Sequence, residues 1–225
     1  MNPHHHLHES TLMSYAAGAL PASLGVVAGA HLEQCPLCRQ RLRDAEAIGA
    51  ALLEQTQPDA ATPGRAGLRA AMLAQLDALP GVPDSTPPVP RQRPHPGPAD
   101  PDHLPVSLHP HFGTSLKALR WRWMAPGVHC IRAPAMPELI LLRIAPGKCL
   151  PMHSHGRSEL TQILRGAYND ALGLFAPGDV ADLDADVEHQ PVTTPGVPCI
   201  CVSALDAPLV FSGWLARKIQ RFVKL

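Results

Sequence analysis

The stretch GKCLPMHSHGRSELTQILRG, Gly147 to Gly166, sets glycine turns at both ends of a segment carrying three side chains that ligate metals. Pro146–Gly147 is a turn pair, and the residues after it read as a strand. Side chains along a strand alternate between faces, so His153 and His155, two positions apart, point to the same side of a sheet and into the core it encloses. Glu159 returns on the same wall, and Gly166 permits a tight turn into the next strand. Imidazoles and a carboxylate converging in this way suit zinc, iron, manganese or nickel, and affinity order alone does not choose among them.

The flanking sequence continues the strand pattern. Leu139–Ile144 is a short apolar run ended by the Pro146–Gly147 turn, and Leu160–Leu164, Val180–Leu183, Cys199–Leu205 and Leu209–Phe211 follow, separated by Gly, Pro, Asn and Asp. Many short strands at this spacing predict a sandwich or barrel over residues 112–225. His129 and Cys130 fall on a further strand without a recognisable partner and read as structural. Trp214–Leu225 fits strand and helix equally.

The spacing Gly147-x5-His153-x-His155-x3-Glu159-x6-Gly166 resembles, position for position, the first signature of the cupin superfamily. That resemblance implies a jelly-roll-like β-barrel with a metal at its centre. The second cupin signature is partial: Pro177–Gly178–Asp179 supplies its turn and His189 its third imidazole, while Asp184-Ala-Asp-Val-Glu-His189 departs from the usual loop. The implied metal set is His153, His155, Glu159 and His189. Cupin dioxygenases would place iron in such a site and make the chain an enzyme.

Upstream, 11 prolines fall in the 31 residues from Pro80 to Pro110, which predicts a semi-rigid, extended linker over residues 80–111. His95, His103, His109 and His111 lie in or beside it and are assigned no chemistry. Residues 1–79 read as helical. Leu12, Tyr15, Ala16 and Ala19 share one face of a first helix closed by Gly18 and Pro21; a second runs over residues 22–31; a third starts at Pro36, where a missing N–H costs nothing, and carries Leu37, Arg41, Ala45, Ile48 and Leu52. A fourth, residues 67–79, has a stripe of Leu68, Met72, Leu76 and Leu79 that needs a surface to pack against.

Between the second and third helices lies His31-Leu-Glu-Gln-Cys35-Pro-Leu-Cys38. His31 ends one helix, Cys35–Pro36 reverses the chain, and Cys38 sits in the first turn of the next, where the positive dipole end favours thiolate. Three soft ligands thus converge, and tetrahedral zinc wants a fourth. The N-terminal cluster His4, His5, His6 and His8 is its source, with spacing alone unable to choose. The array, with Ser14-Tyr-Ala-Ala-Gly-Ala-Leu20 before it, resembles the zinc-binding anti-sigma domain of the ChrR family; Cys199-Ile-Cys201-Val-Ser-Ala-Leu-Asp-Ala-Pro-Leu209 is similar to that family too. The resemblance implies His6 as the fourth ligand and zinc in both metal sites, although iron or manganese would also suit the cupin set. It further implies binding and inhibition of an extracytoplasmic-function sigma factor, with release on singlet oxygen or organic hydroperoxides. Cys149, Cys199 and Cys201 are the candidates for a redox role, against the plainer reading as small buried hydrophobes.

Composition narrows the partners. Lys plus Arg and Asp plus Glu each total 19, the formal charge is zero, and 17% of the chain is charged, which argues against direct nucleic-acid binding. Ser10–Ala30 carries no formal charge, but its serines, glycines and alanines, with no Lys or Arg before it, do not make a signal or membrane span. A C-x-x-C paired with His points to a reducing compartment, hence the cytoplasm. The expectation is a multidomain α and β regulator: a helical zinc-binding anti-sigma domain (1–79), a proline-rich linker (80–111) and a cupin domain (112–225). The alternatives are a cupin metalloenzyme, a dioxygenase or isomerase with an appended zinc domain, and a metal-storage module.

Overall fold

A computed structural model describes residues 3–57, 64–78, 102–206 and 209–211. Of the expected linker, residues 80–101 lie outside that set, as does Trp214–Leu225. The chain falls into two compact units, Met1–Ala50 with Asp100–Leu225, and Ala51–Ala99.

In the first unit, α1 (Glu9–Ala16) begins at His8, whose Nδ1 accepts a hydrogen bond from the Ser10 amide. Gly18, at φ +66°, takes the left-handed turn that ends it. Helix α2 (Ala22–Gln34) then runs to Cys35, which is extended (φ −100°, ψ 105°) because a residue preceding proline is pushed out of the helical region. Pro36 opens α3 (Pro36–Gln55).

The strands are β1 (Arg122–Ala125), β2 (Val128–Ala133), β3 (Met136–Ile144), β4 (His153–His155), β5 (Glu159–Arg165), β6 (Tyr168–Asp170), β7 (Gly173–Phe175), β8 (Val180–Leu183), β9 (Glu188–His189), β10 (Val192–Thr193), β11 (Cys199–Leu205) and β12 (Leu209–Phe211). They form three antiparallel sheets, β1-β2-β3-β11-β5-β8, β10-β6-β7 and β12-β4-β9. Gly166, at φ +68°, turns β5 toward β6 so tightly that a Cβ there would meet the Pro198 carbonyl oxygen at 2.5 Å.

The middle of the six-stranded sheet, around β11 and β5, is buried on both faces, which is why β11 reads as one apolar run rather than an alternation. Ile200, Val202 and Ala204 join Leu139, Leu141 and Leu160 against Leu24, Val27, Ala28 and Ala30 of α2; Cys199 and Cys201 join Ile163, Tyr168, Phe175 and Leu183 in a second cluster. The helices of residues 9–34 and the sheet therefore share one core.

The last ten residues of the expected linker, 102–111, are folded rather than extended. Leu104 and Leu108 are fully buried in the α2 core, a 3-10 turn spans Val106–Leu108, and α5 (His109–Phe112) follows. Glu33 at the end of α2 accepts the Val106 and Ser107 amides, each at 2.7 Å. Pro105 and Pro110 sit at helix starts, where proline fits, so their density concealed the leucine pair four apart.

The second unit holds the end of α3 and α4 (Arg65–Asp77). Leu68, Met72 and Leu76 are exposed along α4; Leu79, the fourth member of the predicted stripe, lies outside the described residues.

Candidate metal centres

The first centre is assembled from three separate pieces of chain. Residues 3–8 run beside β8, where Asp179 Oδ1 accepts the amides of His4 and His5, Asp182 accepts that of His8, and the His5 carbonyl accepts from Val180. This places His6 over the α2–α3 break. His31, fully buried, comes from the last turn of α2; Cys35 is its C-cap; Cys38 lies in the first turn of α3. The four candidate ligand atoms all lie within 4.8 Å of one another. His6 Nδ1 is 3.2 Å from Cys35 Sγ and 3.8 Å from Cys38 Sγ, and His31 Nε2 is 3.3 Å from Cys38 Sγ. Zn–N and Zn–S bonds at tetrahedral angles put nitrogen and sulfur about 3.6 Å apart, so the cluster fits zinc. The neighbouring histidines are engaged elsewhere: His5 stacks on Phe175, with ring centroids 3.9 Å apart, and His8 caps α1.

The surroundings favour neutral imidazoles and a protonated Cys38. His31 Nδ1 donates to the Gly178 carbonyl at 2.9 Å, which fixes the tautomer and turns the Nε2 lone pair toward the cysteines. Burial depresses His31 to about 4 and also lowers His6, keeping both rings uncharged. Burial pushes the Cys38 thiol up to about 11, so a cation must displace its proton; the Cys38 amide donates to Cys35 Sγ at 3.4 Å.

The second centre lies in the sheet β12-β4-β9 and the start of β5. His153 pairs across the ladder with His189, their ring centroids 4.5 Å apart, and the ligand atoms of His153, Glu159 and His189 lie within 4.8 Å of one another. His155 takes its place on β4 opposite Leu209; its side chain is not among those described. His153 Nδ1 donates to the Pro151 carbonyl at 2.8 Å, and His189 Nδ1 meets Asp170 Oδ2 at 3.0 Å, so each ring presents Nε2. Glu159 Oε1 accepts from the hydroxyls of Thr161 and Ser203. A nitrogen–oxygen set with no sulfur fits zinc, iron or manganese alike.

Asp170, Gly178 and Asp179 were not singled out as site residues in the sequence. Gly178 and Asp179 act on residues 147 to 175 positions away and Asp170 on one 19 positions away, and no motif spacing announces any of these pairings.

The remaining cysteines belong to neither set of candidate ligands. Cys199 and Cys201 are buried in β11; burial pushes Cys199 up to about 12 and holds Cys201 well above the ordinary thiol range, which disfavours reactive thiolate at both. Cys149 is exposed, bridges to Val192 through its backbone, and donates its thiol to the Leu150 carbonyl at 3.5 Å. No helix among the described residues is long and apolar enough to cross a membrane.

No protein-family model matches the chain. Over 227 aligned positions it is 35% identical to anti-sigma-E factor ChrR of Cereibacter sphaeroides, covering 100% of both chains. Among solved structures, Rhodobacter sphaeroides SigE in complex with the anti-sigma ChrR matches with TM-score 0.69 and 32% identity, over 91% of this chain and 100% of that one. An RmlC-like cupin protein from Ralstonia eutropha matches at TM-score 0.39 and 19% identity, over 43% of this chain and 68% of that one.

Proposed function

Because the chain belongs to the ChrR family of anti-sigma factors, we propose that it binds an extracytoplasmic-function sigma factor and holds it inactive until a signal releases it. The observation that carries this reading is the identity to a named anti-sigma factor along the whole chain, helices and sheets together, with a relative solved in complex with its sigma factor. The protein is a regulator and not an enzyme.

His6, His31, Cys35 and Cys38 would hold zinc, which here supplies cross-linking: it ties residues 3–8 to the α2–α3 break in a helical segment too small to fold on its own apolar area. His153, Glu159 and His189, with His155 as the fourth ligand, would hold a second ion, which we assign as zinc by family, iron and manganese being the other candidates. The three sheets are read as the walls of a cupin barrel closed around that ion.

The sigma factor's contact would include the exposed apolar stripe Leu68, Met72 and Leu76 of α4. Burying side chains of this size is worth about 1.5–3 kcal/mol each, enough to support a tight complex. Release would follow singlet oxygen or an organic hydroperoxide acting on the cupin region, in the cytoplasm, where the sigma factor works. Co-purification of a co-expressed sigma factor with the chain, and its release on exposure to a singlet-oxygen generator, tests both halves of the proposal.

A further inference from the structure

The segment Tyr168–Asp179 touches both metal centres. At one end, Asp170, whose side chain is fully buried, divides its carboxylate: Oδ2 meets His189 Nδ1 at 3.0 Å, and Oδ1 accepts the Leu172 amide at 2.8 Å, closing the β6–β7 turn. The hairpin pairs Asn169 with Leu174 and Tyr168 with Phe175. On its second strand, the Leu174 carbonyl meets His5 Nε2 at 3.1 Å, and the Phe175 ring stacks both on Tyr168, centroids 4.9 Å apart, and on His5, 3.9 Å apart. Beyond it, Asp179 takes the His4 and His5 amides on Oδ1 and the Ala176 amide on Oδ2, and Gly178 takes His31 Nδ1. Both imidazoles of the first centre are thereby anchored on this segment, His31 directly and His6 through the residue before it.

We propose that the β6–β7 hairpin links the two centres, with Asp170 as the positioning residue of the second, so that metal at His153, Glu159 and His189 tightens the hold of residues 3–8 on the first. A carboxylate on the far nitrogen of a ligating imidazole fixes the ring and raises its basicity; its loss commonly weakens metal binding about 10–100-fold. The same carboxylate shapes the turn that positions Leu174 and Phe175. A displaced His189 is therefore felt at His5, and linkage makes the effect reciprocal: each metal alters the affinity of the other by the same factor.

The link rests on the reading that both clusters bind metal, and cobalt(II) separates the two questions. The His6, His31, Cys35 and Cys38 set gives a thiolate-to-cobalt charge-transfer band, and the sulfur-free second set does not. In the full chain, filling the second centre is expected to slow capture of cobalt from the first by a chelator at least about fivefold. Asp170→Asn should weaken cobalt binding at the second centre about tenfold or more while the charge-transfer band still forms. His5→Ala, a change in a partly exposed side chain that ligates neither ion, should leave both sites loadable but make the capture rate independent of the second. A wild-type capture rate that is the same with the second centre vacant and filled overturns the link. So does an Asp170→Asn chain that binds cobalt there as the wild type does. Failure of the second cluster to take cobalt at all overturns instead the two-metal reading beneath it.

Discussion

His31 donates its Nδ1 proton to the carbonyl of Gly178, 2.9 Å away, across 147 positions of sequence. A candidate ligand of the first centre is thus held by the turn that feeds β8, and the helical N-terminus and the sheet are joined at that cluster as well as through the α2 core. The zinc account predicts that a chelator strong enough to strip the first centre will also loosen α1 and residues 3–8. Cys35→Ser and Cys38→Ser should bind one metal equivalent fewer and release those amides to fast hydrogen exchange. Protection unchanged after stripping would show that the cluster is not a cross-link.

Acid should destabilise the metal-free chain through the same histidine. Burial holds His31 near 4 in the folded state against an ordinary value of 6.5, its hydrogen bond to Gly178 opposing the shift only in part. Between those values the unfolded chain binds the extra proton, so stability falls as pH is lowered through this window and is intact above it. The loss amounts to about 3 kcal/mol at the acid end. Urea unfolding measured from pH 7 to pH 4 should show this slope, and His31→Gln should flatten it. Bound zinc acts in the same direction, since its ligands must be deprotonated.

Gly166→Ala should be among the most damaging single-methyl additions. The new Cβ would meet the Pro198 carbonyl oxygen at 2.5 Å and the Cys199 Cα at 2.9 Å, at a φ of +68° that side chains disfavour. A loss of about 2 kcal/mol or more in chemical unfolding is expected. Gly147→Ala, with open space around it, should cost only the positive-φ penalty of about 1 kcal/mol.

Thiol reactivity should sort by burial. Alkylation of the native, metal-loaded chain should label Cys149 first, while Cys199 and Cys201 react only on unfolding. Mass spectrometry of the alkylated peptides checks this order. Early labelling of Cys201 would mean that β11 opens in the native state, and would restore the pair as candidates for direct redox sensing.

What the sequence disclosed follows from the range over which each feature acts. His31, Cys35 and Cys38 were legible because one helix break brings them together; Gly147 to Gly166 was legible because turn, strand and ligand spacing are all local. Spacing could not choose His6 among four N-terminal histidines, because the choice is made by β8 and Asp179, over 170 residues away. Asp170 was invisible because it reaches His189, 19 positions on, only through the pairing of separate strands, and no ligand motif includes it. The burial of Leu104 and Leu108 was hidden by prolines that mark helix starts as readily as extended chain.

The central claim, capture of a sigma factor, is most directly tested by co-expressing the full chain with an extracytoplasmic-function sigma factor encoded beside it and isolating the complex by affinity purification. The account predicts a stable complex that survives gel filtration, is lost on zinc removal, and is weakened about tenfold or more by Met72→Glu or Leu76→Glu on α4, changes at exposed positions that leave stability unaltered. Recovery of the chain free of sigma factor, with zinc bound and the fold intact, would contradict it.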